Sequence, residues 1–199
     1  MTQYHFKPAL LAAGLDYATD DLGITCHKAG TLQWRADWPD IDDCAYVELT
    51  ARGNTIRRID LIRRAPHLRC SISVTSDSAD PPTDPDVLTF LSLASDVLAR
   101  LDHQSPGRNV AFGEHGRARL AIFAVGALSI IGAIAIFGLA LASGVSTQKL
   151  ADGAIPMGIM LLFGVALISR YAPWRKPPRI AAATLALALG AMADPSARS

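Results

Sequence analysis

The feature that most constrains this chain is an apolar run from Leu120 to Ala142, which lies in a stretch without any charged residue before Lys149. As a helix, its 23 residues reach roughly 34 Å at about 1.5 Å per residue, more than a hydrocarbon core of about 30 Å. A soluble domain seldom buries a helix that is apolar on every face. The run therefore predicts a transmembrane helix over residues 120–142.

A second uncharged run covers residues 153–169 and is 17 residues long, near the lower limit of about 17–25 for a membrane-spanning helix. Tyr171 and Trp174 follow its far end, and amphipathic rings of this kind favour the headgroup level of a bilayer. The short polar connection, residues 143–153, favours a return helix over 154–171; a re-entrant or interfacial segment is the alternative. We therefore expect a two-helix transmembrane hairpin.

Cations close to the two runs predict which side of the membrane each end occupies. Seven of them flank the hairpin on its outer sides, whereas the loop between the helices offers only Lys149, so both chain termini are expected in the cytoplasm. Three cysteines, expected to be reduced, fit that compartment. Heavy use of alanine and 15 arginines against 4 lysines suggest a bacterial inner membrane. The residues expected at the membrane interface are Arg117, Arg119, Arg170, Tyr171, Trp174, Arg175, Lys176 and Arg179, and Arg108 completes the flanking cations.

Near the amino terminus, a weaker apolar stretch from Ala9 to Leu15 follows Lys7. Asp16 comes directly after it, and no clear small-residue cleavage site is present. This stretch is therefore not expected to be a signal peptide, and the first span is expected to act as an uncleaved signal.

Several short segments in the first part of the chain are rich in alternating or β-branched residues, which is typical of half-buried strands. They are residues 22–27, 31–35, 45–51, 55–62 and 69–75. The pair Arg57–Arg58 breaks the alternation of its segment and favours a β-bulge there. The side chains expected to face the core are Val47, Leu49, Cys70, Ile72 and Val74, with Tyr46, Glu48 and Thr50 facing outward.

From Val87 to Leu101, apolar residues recur at the three- and four-residue spacing of an amphipathic helix. Asp84 is suited to cap this helix and Pro85 to occupy its first position, so we predict a helix over about 84–102. Strands followed by one closing helix indicate an α+β class. The expected division is an antiparallel β-rich cytosolic domain over 1–105, a basic juxtamembrane linker over 106–119, and a cytosolic tail over 172–199. The tail's short apolar segment, 180–193, is expected at the membrane interface or packed against the hairpin.

This order of elements resembles the pleckstrin-homology-like (PH-like) domains of some bacterial membrane proteins. The features that carry the resemblance are the step Trp38–Pro39–Asp40–Ile41, the RCSISV strand and the FLSLASDVLARL helix. The resemblance implies about seven antiparallel strands closed by one carboxy-terminal helix, together with a binding or scaffolding role. It transfers no catalytic residue.

Two groups of residues suggest chemistry, and each has a plainer interpretation. The acidic run Asp37, Asp40, Asp42 and Asp43 has the hard oxygen ligands that a divalent cation prefers, but it lacks the full spacing of a calcium-binding loop, so a solvated turn is the favoured interpretation. Cys26 and His27 pair a nucleophile with a base, yet neighbours in a strand point to opposite faces. The sequence lacks zinc-ligand spacing and a phosphate-binding glycine loop, so no metal or cofactor is predicted.

A cluster of arginines is the clearest functional signal. Six of them lie within 18 residues, opposed by a single aspartate, Asp60, so residues 52–69 carry a net charge of about +5. Arginines beside a membrane attract anionic lipid, each by about 1 kcal/mol near the surface. The alternative is that these strands pair with the acidic flank, residues 70–105, or remain solvated. The members of this arginine cluster are Arg52, Arg57, Arg58, Arg63, Arg64 and Arg69.

These features predict a membrane-anchored, non-catalytic scaffold module that contacts anionic lipid or an acidic partner at the cytoplasmic face. The overall charge of +1 argues against nucleic acid, and the absence of ionisable residues inside the spans argues against a transporter. One alternative is a holin-like pore. Small residues at Ser129 and Ala133, and at Gly138 and Ala142, could pack the hairpin's own helices or form a homo-oligomer. A membrane-bound enzyme of unknown chemistry is the second alternative.

Overall fold

A computed structural model describes residues 1–51, 53–64, 68–77, 83–113, 117–144, 146–172, 174 and 178–194. The chain divides into two compact units. The first unit comprises Met1–Gly113 together with Pro178–Ser199, and the second comprises Glu114–Pro177. The first unit contains strands and two helices, and the second is a hairpin of two apolar helices. The predicted α+β class is confirmed, with four helices in all among the described residues.

The first sheet is a four-stranded antiparallel meander. Its strands are β1 (Thr2–Phe6), β2 (Leu15–Thr19), β3 (Gly23–Lys28) and β4 (Thr31–Asp37). Ala29 and Gly30 form the β3–β4 turn with φ angles of 48° and 78°, a conformation that glycine adopts without steric cost. The strands predicted over residues 22–27 and 31–35 are thus confirmed, and they form a hairpin.

The second sheet has the order β7-β6-β5-β8-β9. Its strands are β5 (Ile41–Ala51), β6 (Asn54–Arg63), β7 (Arg69–Asp77), β8 (Asn109–Phe112) and β9 (Arg179–Ala181). The pairing of β5 with β8 is parallel, and the other pairings are antiparallel. The described strands thus form two sheets, and the set of about seven antiparallel strands closed by one helix that the resemblance implies is not shown as such.

The buried face of β7 is the one that the alternating sequence predicts, whereas the buried residues of β5 differ from the prediction. Cys70, Ile72 and Val74 are buried, as predicted. In β5 the prediction was wrong, because Tyr46 is only 1% exposed and Leu49 is 49% exposed. The strand is central in its sheet and all residues from Cys44 to Val47 are buried, so both faces are covered there and the alternation carries no directional signal.

The predicted bulge in residues 55–62 is also absent from the pairing of these described residues. β6 keeps a regular register with β5 and with β7 across this range. Arg57 and Arg58 therefore point to opposite faces of the sheet, and the pair is accommodated by ordinary alternation.

Helix α1 (Pro85–Gln104) closes the core. Asp84 caps it by accepting a hydrogen bond from the Asp86 backbone N–H at 2.9 Å, and Pro85 occupies the first turn, so this prediction is confirmed. The Phe90 ring meets Phe6 of β1 edge-on at 6.0 Å between ring centroids. The buried stripe consists of Val87, Phe90, Leu91, Leu93, Ala94, Val97, Leu98 and Leu101.

The structure divides the domain differently from the sequence-based expectation. Strand β8 lies inside the expected linker 106–119, and strand β9 and helix α4 (Ala182–Ala193) lie inside the expected tail 172–199. Segment 180–193 is part of the domain, because Leu185 and Leu189 of α4 are buried beside α1. The Ser95 hydroxyl donates to the Ala186 carbonyl at 2.8 Å.

The second unit consists of α2 (Arg117–Ala142) and α3 (Thr147–Tyr171). By length and composition, Arg119–Ala142 and Gly153–Tyr171 are able to cross a membrane. Their most apolar windows are only 11% and 6% buried. A helix from the core of a soluble domain would be mostly buried, so this exposure indicates membrane association.

The two helices of the hairpin approach most closely where two glycines face each other. A Cβ atom added to Gly164 would lie 2.7 Å from the Gly126 carbonyl oxygen and 2.6 Å from Ile130 Cγ1. A Cβ atom on Gly138 would meet nothing within 4 Å among the described residues. Some of the small residues therefore pack the hairpin's own helices.

We predict that Gly164→Ala destabilises the hairpin by about 1–3 kcal/mol, because the new methyl group overlaps a backbone carbonyl that cannot move aside. Gly138→Ala is the matched control and should leave stability unchanged or slightly raised, since alanine is the better helix former. Thermal unfolding of the full-length protein in detergent micelles checks both. Equal melting temperatures for the two variants would contradict the predicted contact.

We also predict that residues 1–105 alone do not form a stable domain, because they lack β8, β9 and α4. A chain in which a short glycine–serine linker replaces residues 114–177 should fold, since the Phe112 N–H donates to the Pro178 carbonyl at 2.8 Å and the two ends adjoin. Size-exclusion chromatography and denaturant unfolding compare the two fragments. Cooperative unfolding of 1–105 with equal stability would contradict this division.

Candidate functional site

The arginine cluster is distributed along the second sheet rather than gathered at one point. Arg57 and Arg58 lie in the first half of β6, Arg63 ends the strand, and Arg69 begins β7. Arg57 and Arg63 are six positions apart in β6, which corresponds to roughly 20 Å at about 3.3 Å per residue. Arg52 lies outside the described residues. The arginines are therefore too widely spread along the sheet to form one compact binding site.

At the middle of β6, Asp60 binds two of these arginines. Its carboxylate is fully buried and accepts hydrogen bonds from Arg58 Nε at 3.0 Å, from Arg69 Nη2, and from the Ser71 hydroxyl at 2.6 Å. Burial on its own would raise the pKa of Asp60. The hydrogen bonds from Arg69 and Ser71 and the charges of both arginines outweigh it, so the pKa lies below its usual value.

Arg57 lies on the opposite face of β6 and is almost fully buried. Its Nη2 atom donates to Glu48 Oε1 at 3.1 Å, and the Tyr46 hydroxyl donates to Glu48 Oε2 at 3.2 Å. Burial, followed by the charge of Glu48, raises the pKa of Tyr46 and keeps its hydroxyl protonated. The Nε and Nη1 atoms of Arg57 have no hydrogen-bond partner among the described residues.

The acidic run provides partners for the remaining arginines. Close pairs join Asp37 to Arg35 at 2.7 Å and Asp43 to Arg179 of β9 at 2.8 Å. Looser pairs join Asp40 to Arg63 at 3.8 Å and Asp42 to Arg64 at 3.6 Å. These acids therefore face cations and not only solvent. The described residues contain no group of three His, Cys, Asp or Glu side chains that could hold a metal ion. In the described part of the chain, Arg57 and Arg64 pair with Glu48 and Asp42 of β5, whereas Arg58 and Arg69 pair with Asp60 of β6.

Cys26 and His27 point to opposite faces of β3, so they do not form a nucleophile–base pair. Cys26 is 2% exposed in the core, whereas His27 lies on the outer face beside Asp16 in the register. Burial raises the pKa of Cys26, Cys44 and Cys70, which keeps all three as thiols near neutral pH. None of them has the thiolate character of a reactive cysteine.

An open cleft of about 440 Å³ lies between α1 and the β2–β3 turn, and a polar network occupies it. Asp96 accepts from the Thr19 hydroxyl at 2.6 Å and from Arg100 Nε at 2.9 Å, and Arg100 Nη1 donates to the Asp20 carbonyl at 3.0 Å. Burial, followed by the charge of Asp96, raises the pKa of Tyr4 to about 12. These groups satisfy one another, so the network holds α1 against the first sheet.

The residues expected at the membrane interface fall into separate environments. Arg119 caps the end of α3, with its Nη2 atom 3.0 Å from the Ala172 carbonyl, and a cation there complements the helix dipole. Trp174 packs edge-on against Phe123 at 5.5 Å between ring centroids, and Arg170 is exposed. The Arg117 side chain, Arg175 and Lys176 lie outside the described part of the chain. Of the other residues expected at the interface, Tyr171 has its carbonyl 3.4 Å from Arg119 Nε, and Arg179 lies in β9.

The sequence identified the arginines of the cluster, but it did not identify the acidic side chains that pair with them. Glu48 and Asp43 both lie in β5, and the partners of their carboxylates depend on which residues the strand pairing places beside them. Asp60 was noted only as a charge that opposes the cluster. Strand pairing supplies the signal that could have found these contacts, because Glu48 and Arg57 are direct cross-strand neighbours.

No protein-family model, curated protein or solved structure matches the chain. The resemblance to PH-like domains therefore stays a prediction, and the function has to be inferred from the geometry of the residues.

We predict that Asp60→Asn lowers the free energy of unfolding by about 1.5–3 kcal/mol at neutral pH, because charge-assisted hydrogen bonds to Arg58 and Arg69 are lost. Because the pKa of folded Asp60 is depressed below 3.8, its contribution is present above that pH and disappears as the pH falls through the folded value. The difference from the wild type should therefore shrink in acid.

Asp40→Asn is the control, since this carboxylate is half-exposed and 3.8 Å from Arg63. Its effect should stay within about 0.5 kcal/mol. Denaturant unfolding at neutral and acidic pH measures both variants. An Asp60→Asn loss that is small, or that grows in acid, would show that the buried carboxylate does not stabilise the sheet as an anion.

Proposed function

We propose that the chain is a membrane-anchored, non-catalytic interaction module that holds a partner protein at the cytoplasmic face of a bacterial inner membrane. The observation that carries this proposal is the place of the hairpin in the topology. It connects β8 to β9, two neighbouring strands of one sheet. The anchor is therefore an insertion within the domain and not an appended segment.

This insertion limits the number of times that the chain can cross a bilayer. The Phe112 N–H to Pro178 carbonyl bond keeps the two ends of the insertion side by side. A segment that leaves and re-enters one folded domain crosses a membrane an even number of times. Two apolar helices of sufficient length supply two crossings, which supports a hairpin that spans the bilayer rather than a single span with an interfacial partner.

The distribution of cations supports a cytoplasmic domain. In the sequence, Arg119 and Arg170 lie at the helix ends that adjoin the domain, and Arg175 and Lys176 follow. Lys149, in the first turn of α3, is the only lysine or arginine near the other two helix ends. Lys and Arg are enriched on the cytoplasmic side of short membrane loops. All described residues of the domain would then share this side, because they form one compact unit.

Binding is favoured over catalysis by the chemistry of the domain surface. The thiols are buried, the acids of β5 and β6 are neutralised by arginines, and the polar groups of the α1 cleft are bonded to one another. The mainly antiparallel strands packed against α1 are compatible with the binding role that the resemblance to PH-like domains implies. Tethering such a surface to a membrane raises its effective concentration toward other membrane components, so weak contacts suffice.

The full-length protein in bacterial membranes tests this proposal through two single-cysteine reporters. The native cysteines are buried, so a membrane-impermeant thiol reagent should label only an added cysteine. Lys149→Cys should react in intact spheroplasts, and Lys28→Cys, at the exposed end of β3, should react only in inverted vesicles. Both variants should resist extraction by alkaline carbonate. Labelling of Lys28→Cys in spheroplasts, or release by carbonate, would overturn the proposal.

A further inference from the structure

The loop between β1 and β2 presents two leucines to solvent. Leu10 is 91% exposed and Leu11 is 98% exposed, more than any other described large apolar residue. They occupy the two central positions of a tight turn, because the Ala12 N–H donates to the Ala9 carbonyl at 2.9 Å. The turn thus directs both side chains outward at its tip.

The base of this loop is held in place by the sheets. The Thr75 N–H of β7 donates to the Pro8 carbonyl at 2.9 Å. At the other side of the loop, the His5 ring packs where a Cβ atom of Gly14 would lie, at 2.6 Å, and binds the Asp16 carboxylate at 2.6 Å. The exposed leucines therefore stand on a fixed support.

The register of the second sheet places this loop at one defined end of the domain. Thr75 pairs with Ile56, and Ile56 pairs with Leu49, so Pro8 extends a row across the sheet. Ile56 and Leu49 are 40% and 49% exposed. One end of the domain thus combines the Leu10–Leu11 tip with further apolar surface.

The chain leaves the domain for the hairpin toward the same end. Strand β8 runs parallel to β5 and ends at Phe112, opposite Tyr46. The Gly113 N–H donates to the Tyr46 carbonyl, so the chain departs in the direction in which β5 continues to Leu49 and Ala51. Pro178, where the chain returns, pairs with Phe112 at this point.

We propose that the Leu10–Leu11 tip inserts into the interfacial region of the bilayer that the hairpin crosses, as a second point of membrane contact. This inference rests on the proposed function, since it requires the hairpin to anchor the domain. Transfer of two fully exposed leucines from water is favourable, and exposed Lys7 at the base of the loop adds attraction to anionic headgroups. The anchor supplies a high effective concentration, so two leucines are enough.

The test uses the full-length protein with an environment-sensitive fluorophore attached at Leu11→Cys. Leu22→Cys is the matched control, because Leu22 is also exposed (66%) and lies in the β2–β3 turn, at the opposite end of β2. Each labelled protein is reconstituted into vesicles of phosphatidylethanolamine and phosphatidylglycerol. Emission from the label at position 11 should shift to the blue, rise several-fold, and be quenched by spin-labelled lipid. The label at position 22 should behave as in water.

Equal, water-like emission at both positions would overturn the inference. So would a label at position 11 that is shielded from an aqueous quencher yet unaffected by spin-labelled lipid, because a protein partner or a second copy would then cover the tip. Carbonate extraction of the same vesicles separates this failure from failure of the proposed function. A protein that resists extraction but keeps a water-exposed tip retains its anchor, whereas an extracted protein has none.

Discussion

The backbone pairing of β8 with β9 is the constraint on which the rest of this architecture depends. It brings together two segments that a long apolar insertion separates, and it places α4 so that Leu185 and Leu189 complete the core beside α1. A domain closed in this way cannot be separated from its membrane hairpin by a single cut. Folding of the domain therefore requires chain from both sides of the hairpin.

Many charged side chains of the second sheet form ion pairs with one another. Asp60 is buried between Arg58 and Arg69, and Glu48 holds Arg57 inside. A buried carboxylate is tolerated only where hydrogen bonds and opposite charges replace its hydration. A sequence count of about +5 in residues 52–69 thus overstates the positive charge available to a ligand, because Glu48, Asp40 and Asp42, which lie outside that window, pair with further arginines of the cluster.

In the hairpin, amino-acid composition predicts the helices, but only packing determines which of their residues are in contact. Apolar length alone indicates two helices able to cross a membrane. Which glycines meet depends on the helix crossing, so Gly126 and Gly164 are in contact while Gly138 faces open space. Likewise, Arg119 was expected at the interface from its charge, but its role at the end of α3 follows from the antiparallel return of the chain.

Local patterns in the sequence determined the two apolar helices, the capped amphipathic helix α1 and the inward face of β7, because hydrophobic periodicity and capping act within a few residues. Only the tertiary structure decided the covered faces of β5, the partners of the arginines and the recruitment of β8, β9 and α4. These depend on which distant segments become neighbours. A short strand or a uniformly apolar helix has no periodic signal until another element packs against it.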